Sequence, residues 1–122
     1  MNAMLGETIF TDCEVQTDWS ARAADNVILF AEEIDISAAD NTVSLTIQLY
    51  HKDIDDSGDG TAVGSPITLD GGVSKFKFTQ IQGLKQLVRL RLSALIDPSG
   101  GADLGWVHHR ILAPVWYDTA RP

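Results

Sequence analysis

The residues with the most chemical promise form an acidic run, Lys52-Asp53-Ile54-Asp55-Asp56-Ser57-Gly58-Asp59-Gly60. A hard cation takes several oxygen ligands at close range. Asp53, Asp55 and Ser57, followed by Gly58 for a sharp turn, match the opening of a calcium loop, and Asp59 adds a further carboxylate. The match ends at position twelve. Gly64 stands where a bidentate Glu is needed, and starting at Asp55 puts Pro66 there instead. Both flanks read as strands rather than helices. Asp53, Asp55, Ser57 and Asp59 are therefore the sole calcium candidate, and a solvated hairpin loop uses the same residue types. Otherwise no metal and no cofactor is expected.

Other reactive side chains are sparse. His51, His108 and His109 are the only histidines. Neighbours on a strand point to opposite faces, so His108 and His109 cannot chelate one ion there; one faces inward or into an interface and the other faces water. The single cysteine, Cys13, sits between Asp12 and Glu14, the opposite of the electropositive surroundings that make a thiol nucleophilic. It also excludes an internal disulfide. There is no G-x-S-x-G elbow, no Gly-rich loop before a helix and no carboxylate pair on an apolar face. No catalytic residue is identified, and the chain reads as a non-enzyme.

The elements that position these residues read as strands. Val43, Leu45, Ile47 and Leu49 alternate with Ser44, Thr46, Gln48 and Tyr50. Val88, Leu90, Leu92 and Ala94 alternate with Arg89, Arg91 and Ser93, and Phe76 and Phe78 alternate with Lys75, Lys77 and Thr79. Val27–Phe30 is a short apolar run, and Pro66–Leu69 suits a strand start or edge. Trp106–Trp116 is a last extended stretch that Pro114 restricts to an edge or bulge. Asp-Gly and Pro-Ser-Gly clusters punctuate the chain as turns. Residues 18–26 suit one or two helical turns. The fold expected is all-β: a single-domain antiparallel β-sandwich, jelly-roll or immunoglobulin-like, with six to eight strands. Residues 1–25 read as an extended N-terminal arm or first strand that contacts neighbours, 26–116 as the sandwich, and 117–122 as a flexible tail.

Composition bounds the class. The 122 residues hold 44% apolar and 21% charged side chains, which suits one globular domain. The net charge is -8, against the basic footprint of nucleic-acid binding and against docking on anionic lipid. No apolar run reaches the length of a membrane span. Met1–Phe10 has no basic region followed by an apolar stretch, so no signal peptide is expected. The charge divides along the chain: residues 1–60 carry a net of -11 and residues 61–122 a net of +3. Arg89 and Arg91, with Lys75 and Lys77 if the two strands pair, form a basic stripe. This suits a salt-bridge seam with an acidic surface on another subunit or on a different protein, or cross-strand pairing with the chain's own acids. Trp19, Trp106 and Trp116 suit core, interface or sugar-stacking roles. The interface candidates are Arg89, Arg91, Lys75, Lys77, Trp106, His108 and His109.

The order of these segments resembles a known family. Thr8-Ile9-Phe10-Thr11-Asp12, then Asp25-Asn26-Val27-Ile28 leading to an acidic turn, then the Val43–Tyr50 strand, look like the start of small head cement, or decoration, proteins of tailed phages. The likeness continues through Phe76-Lys77-Phe78-Thr79-Gln80-Ile81-Gln82-Gly83-Leu84-Lys85-Gln86-Leu87-Val88-Arg89-Leu90-Arg91-Leu92, the turn Asp97-Pro98-Ser99-Gly100 and the strand 106–113. The Asp-rich loop at 53–59 and the Trp/His-rich final strand depart from the pattern. The resemblance implies a virion structural protein without a catalytic site. Such proteins are made in the host cytoplasm, are often homotrimers and bind the major capsid protein on the outside of the head. They bridge capsomers and stabilise the expanded shell. Another virion part (head-tail connector, tail-tube or fibre-associated protein) and a calcium- or carbohydrate-binding module are the alternatives.

Overall fold

The computed structural model describes residues 4–9, 12–37, 42–97 and 105–119. The described residues form ten strands and no helix: β1 Met4–Ile9, β2 Cys13–Gln16, β3 Ser20–Ala21, β4 Asn26–Ile36, β5 Thr42–Lys52, β6 Thr61–Leu69, β7 Phe76–Ile81, β8 Leu87–Asp97, β9 Val107–Ile111 and β10 Val115–Tyr117. All pairings are antiparallel. One sheet runs β1-β9-β4 with β7 on the far side of β4, and β10 continues the β9 side of β4. The other runs β2-β8-β5-β6, and β3 continues the β2 side of β8. The protein is an all-β, two-sheet antiparallel sandwich, as the alternation predicts.

The central pair is β5 with β8. Its register runs from Thr42↔Asp97 to Lys52↔Leu87 without a shift. Because side chains alternate across a strand, this register stacks Val43, Leu45, Ile47 and Leu49 beside Val88, Leu90, Leu92, Ala94 and Ile96 on one buried side. Val27, Leu29 and Ala31 of β4, Ile81 of β7, and Val107 and Ile111 of β9 meet them from the other sheet.

Several elements differ from the sequence expectation. The strand count exceeds eight because the row beside β4 (β9 and β10) and the row beside β8 (β2 and β3) are each broken into two short strands. Pro114 lies in the 112–114 break between β9 and β10. At the other broken edge, β2 and β3 flank Thr17, whose hydroxyl accepts the Leu90 N–H at 3.0 Å while its own N–H donates to the Leu90 carbonyl at 2.9 Å. The expected helical turns at 18–26 are absent; this stretch holds β3 and a bend. Val27–Phe30 extends through the acids to Ile36, because Glu32 and Glu33 find Arg110 and Lys75.

The 1–25 segment, expected as an arm or first strand in contact with neighbours, joins both sheets where it is described. Its described residues supply β1 on β9 and β2 and β3 on β8, and Ile9 and Cys13 pack against the core. The reason is unfilled sheet edge: β8 and β9 each have a side that β5 and β4 do not cover. The start of the 117–122 tail is likewise docked. Tyr117 ends β10, Asp118 accepts the Asp25 N–H, and Thr119 accepts the amide of Asn26. Residues 120–122 lie outside the described residues. Asn26 is 1% exposed, and its carbonyl oxygen also accepts the Gly83 N–H at 3.2 Å.

At one side of the sandwich the edges of the two sheets meet. Gly64 of β6 has φ +74°, and a Cβ there would lie 2.5 Å from Ile81 Cγ1 of β7. Glycine is needed at this position both for the backbone conformation and for the close approach. Gly64→Ala is expected to cost about 2–4 kcal/mol, from left-handed strain and overpacking together; urea denaturation measures it. Deleting residues 1–21 should also cost several kcal/mol, since it bares two sheet edges and removes Ile9 and Cys13 from the core. A melting temperature unchanged by the deletion would contradict that assignment.

Candidate functional site

The outer face of the second sheet carries two of the seven interface candidates, Arg89 and Arg91. Arg89 and Arg91 both project outward from β8, and each is half-buried on an aromatic ring. The Arg89 guanidinium lies 4.3 Å from the Trp19 ring centre, with Lys52 Nζ 4.8 Å from the same ring. The Arg91 guanidinium lies 4.3 Å from the Tyr50 ring, donates to the Tyr50 hydroxyl at 2.9 Å and approaches Glu14 at 3.0 Å. Such stacking holds a cation over the negative face of the ring. The two arginines therefore contact the chain's own aromatics and acid.

The Asp-rich loop belongs to the same assembly. Its Gly58 carbonyl accepts from Lys52 at 2.9 Å and its Asp59 carbonyl accepts from Arg89 at 3.2 Å. The Gly58 N–H donates to the Asp56 carboxylate, and the Ile54 N–H donates to Gln86. Gly60, at φ +75°, lies where a Cβ would sit 2.6 Å from the Trp19 ring. The loop is thus folded back on the cations and on Trp19. Among the described residues no group of three or more His, Cys, Asp or Glu side chains is placed to hold a metal; Asp53, Asp55, Ser57 and Asp59 do not converge.

Lys75 and Lys77 lie in the other sheet, because β7 pairs with β4 and not with β8. The stripe that needed this pairing does not form. Lys75 forms an ion pair with Glu33, a carboxylate 2% exposed that also accepts the Gly71 N–H at 2.8 Å. Lys77 bridges the sheets, donating to the Thr68 carbonyl of β6 at 2.6 Å and lying 3.9 Å from Asp70.

The final-strand candidates separate by face. His109 is fully buried beside Glu33 in the β4–β9 register, while His108 faces outward beside Asp35. The Trp106 indole donates to Asp35 at 2.8 Å, and its backbone N–H donates to the Ser37 hydroxyl. Trp116 packs against the core. The three tryptophans thus serve a cation stack, a strand end and the core.

Sequence reasoning missed the outer face of the first sheet. On β7 the inward side chains are Lys77, Thr79 and Ile81, and the aromatic side points out. Phe76 is 49% and Phe78 65% exposed. Both pack against Phe30 of β4, with ring centres 5.8 and 6.3 Å away. Ile28 lies beside Phe30 on the same side, and Val115 of β10 pairs with Ile28 at 49% exposure. A signal for this was legible. Val27–Ala31 is apolar at every position, and a strand apolar on both sides asks for cover on both. The Glu32–Arg110 ion pair bounds the patch at one end, and a Gln80–Tyr117 hydrogen bond bounds it at the other. Beside it an open groove of about 450 Å³ separates β6 from β7, lined by Pro66, Thr68, Ser74 and Phe76 among others.

No helix among the described residues is long and apolar enough to cross a membrane. Comparisons of the chain with protein-family models, curated proteins and solved structures found no match.

One titration is built into the β5 end. His51 Nδ1 accepts the Lys85 N–H at 3.2 Å. Burial lowers the His51 pKa from its ordinary 6.5, the Lys85 charge lowers it further, and Asp53 opposes them. Between the folded value and 6.5 the unfolded chain binds more protons. Stability from this group is thus complete above about pH 6.5 and is lost as pH falls through the folded value. His51→Asn keeps an acceptor for the Lys85 N–H and removes the titration. The melting-temperature difference between wild type and variant should shift against wild type from pH 7 to pH 5; parallel curves would exclude this role.

Proposed function

We propose that this chain is a non-catalytic structural protein that works by surface contact, specifically a head cement protein of a tailed phage. It would bind the major capsid protein on the outside of the shell, bridge capsomers and stabilise the expanded head. The observation that carries the reading is the uncovered aromatic face on the first sheet. It carries Phe76, Phe78 and Val115 at about half exposure or more, and among the described residues no group of metal-binding side chains is found. Exposed apolar patches of this kind rimmed by polar side chains mark protein contact surfaces. The order of segments from Thr8 to Ala113 supplies the link to phage heads. Cysteine left unpaired, an acidic surface and stacked cations on the second sheet are compatible with it. Many modest contacts repeated over one particle add to a strong hold.

The experiment is co-sedimentation of the purified chain with expanded shells assembled from a tailed-phage major capsid protein. Saturable binding with a raised shell-disruption temperature is expected, together with no binding to DNA or to lipid vesicles. Polymerisation into rings or tubes would instead indicate a tail-tube role. A glycan-induced change in tryptophan fluorescence, or a melting temperature raised by calcium, would indicate a binding module.

A further inference from the structure

We propose that the outer edge of β7 takes an extended, uncharged segment of a second protein as an added strand. The inference rests on the reading of this chain as one that works by surface contact, and it names how a partner is held. The phase of the backbone carries it. β7 pairs with β4 from Val27↔Ile81 to Glu32↔Phe76 without a shift, and the Glu33 N–H continues the ladder to the Lys75 carbonyl. Backbone groups of successive residues on an antiparallel strand point to alternate sides. Those of Lys75, Lys77, Thr79 and Ile81 therefore point at β4, and those of Phe76, Phe78 and Gln80 point away from it. On that outer side only the Phe76 carbonyl has a partner among the described residues, the Ser74 hydroxyl at 3.1 Å. The other sheet edges carry devices that block pairing. β6 has a register shift, the left-handed Gly64, and Pro66, which has no N–H to give. β1 has a register shift, and β2 and β3 are short and separated at Thr17. β7 has no shift, no proline and no break.

The neighbours of this edge select the occupant. The groove of about 450 Å³ runs beside it, walled by Pro66, Ile67 and Thr68 of β6 and by Phe76, Lys77 and Phe78. β6 is held there by Lys77, which donates to the Thr68 carbonyl at 2.6 Å, and by the close approach of Gly64 to Ile81. The slot is thus walled on its far side. β7 of a second copy carries its own β6 into that space, so two folded copies do not join these edges; a single extended chain with a bare far edge does. Strand addition takes its affinity from main-chain hydrogen bonds and its selectivity from alternate side chains. Here the side chains next to the outer row of the added strand are Phe76 and Phe78, 49% and 65% exposed. The charges nearby are matched within the chain. Lys75 forms an ion pair with Glu33, and Lys77 lies 3.9 Å from Asp70. Asp118 sits beyond β10, which pairs with the opposite side of β4, and accepts the Asp25 N–H there. The segment that fits is therefore uncharged and apolar at alternate positions.

The test is amide hydrogen exchange of the full chain, read residue by residue by NMR, with the peptide acetyl-Thr-Val-Thr-Val-Thr-Val-Thr-amide as the probe. In the free protein the Lys77, Thr79 and Ile81 amides should be protected and the Phe78 and Gln80 amides should exchange freely. The peptide at about 1 mM should slow Phe78 and Gln80 roughly twofold or more, the effect of a Kd at or below that concentration, and leave the other three unchanged. The same peptide methylated at every backbone nitrogen should slow neither. Phe78→Pro removes an N–H that β4 does not use, so an edge strand tolerates it; Gln80 should then lose its response, whereas Phe78→Val should keep it, and thermal melts check that both variants fold. If Phe78→Pro does not fold, the methylated peptide makes the same test from the partner's side. Phe78 and Gln80 amides protected in the free protein, no slowing by the peptide, or equal slowing by its methylated form overturns the proposal. Protection that rises with protein concentration alone places a second copy on the edge and also overturns it. Co-sedimentation with expanded shells separates this inference from the cement reading. Shell binding without a peptide response strikes the added strand and leaves the cement reading standing; a peptide response without shell binding does the reverse.

Discussion

The unbroken pairing of β5 with β8 is the interaction on which the rest of the molecule depends. Its register places one continuous apolar side inward and aligns Tyr50 with Arg89 and Gln48 with Arg91 on the other. A one-residue slip would send every core side chain to water and bring the arginines inside. The inward side gives the first sheet something to pack on. The outward side sets where the cations stand, hence where Trp19 and the 53–60 loop can settle.

A two-layer sandwich buries only half of each strand, so it always has two outer faces to deal with. Here the second sheet is handled from within the chain. The charged head groups of Arg89 and Lys52 lie over Trp19 and that of Arg91 over Tyr50, hiding aromatic surface. Lys52 and Arg89 also donate to loop carbonyls, which draws the acidic turn onto the sheet without its carboxylates. Among the described residues the first sheet receives no such cover. Its aromatics stack on each other, and the polar groups at the ends pair among themselves. Among the described residues the two outer faces thus differ in how much aromatic surface the chain itself covers.

Buried polar groups appear where strands from different parts of the chain must be joined. Glu33 links β4 to the segment at 71–75, and Asn26 links β4 to the turn at Gly83 and to Thr119. Each is satisfied by partners far away in sequence. Leaving either partner out would strand a buried polar group, a cost of about 1–3 kcal/mol. These joints explain why residues after β10 are docked and not free.

Much was legible in the residues themselves. Strict alternation in 43–50 and 88–94 determines two strands and their inward sides, because period two has one physical meaning on a pleated sheet. Pro114 determines a break in the last strand, since it has no N–H to donate. The acidic loop was legible as a turn. What tertiary structure decided is pairing and direction. Whether Lys75 and Lys77 join Arg89 and Arg91 depends on which strands are neighbours, and β7 went to β4. Which side of Phe76–Ile81 faces in depends on Ile81 meeting Gly64 across the sheet edge, a contact between residues far apart in the chain. Local alternation marks two sides of a strand with equal clarity; only the element packed against it determines which side loses its water.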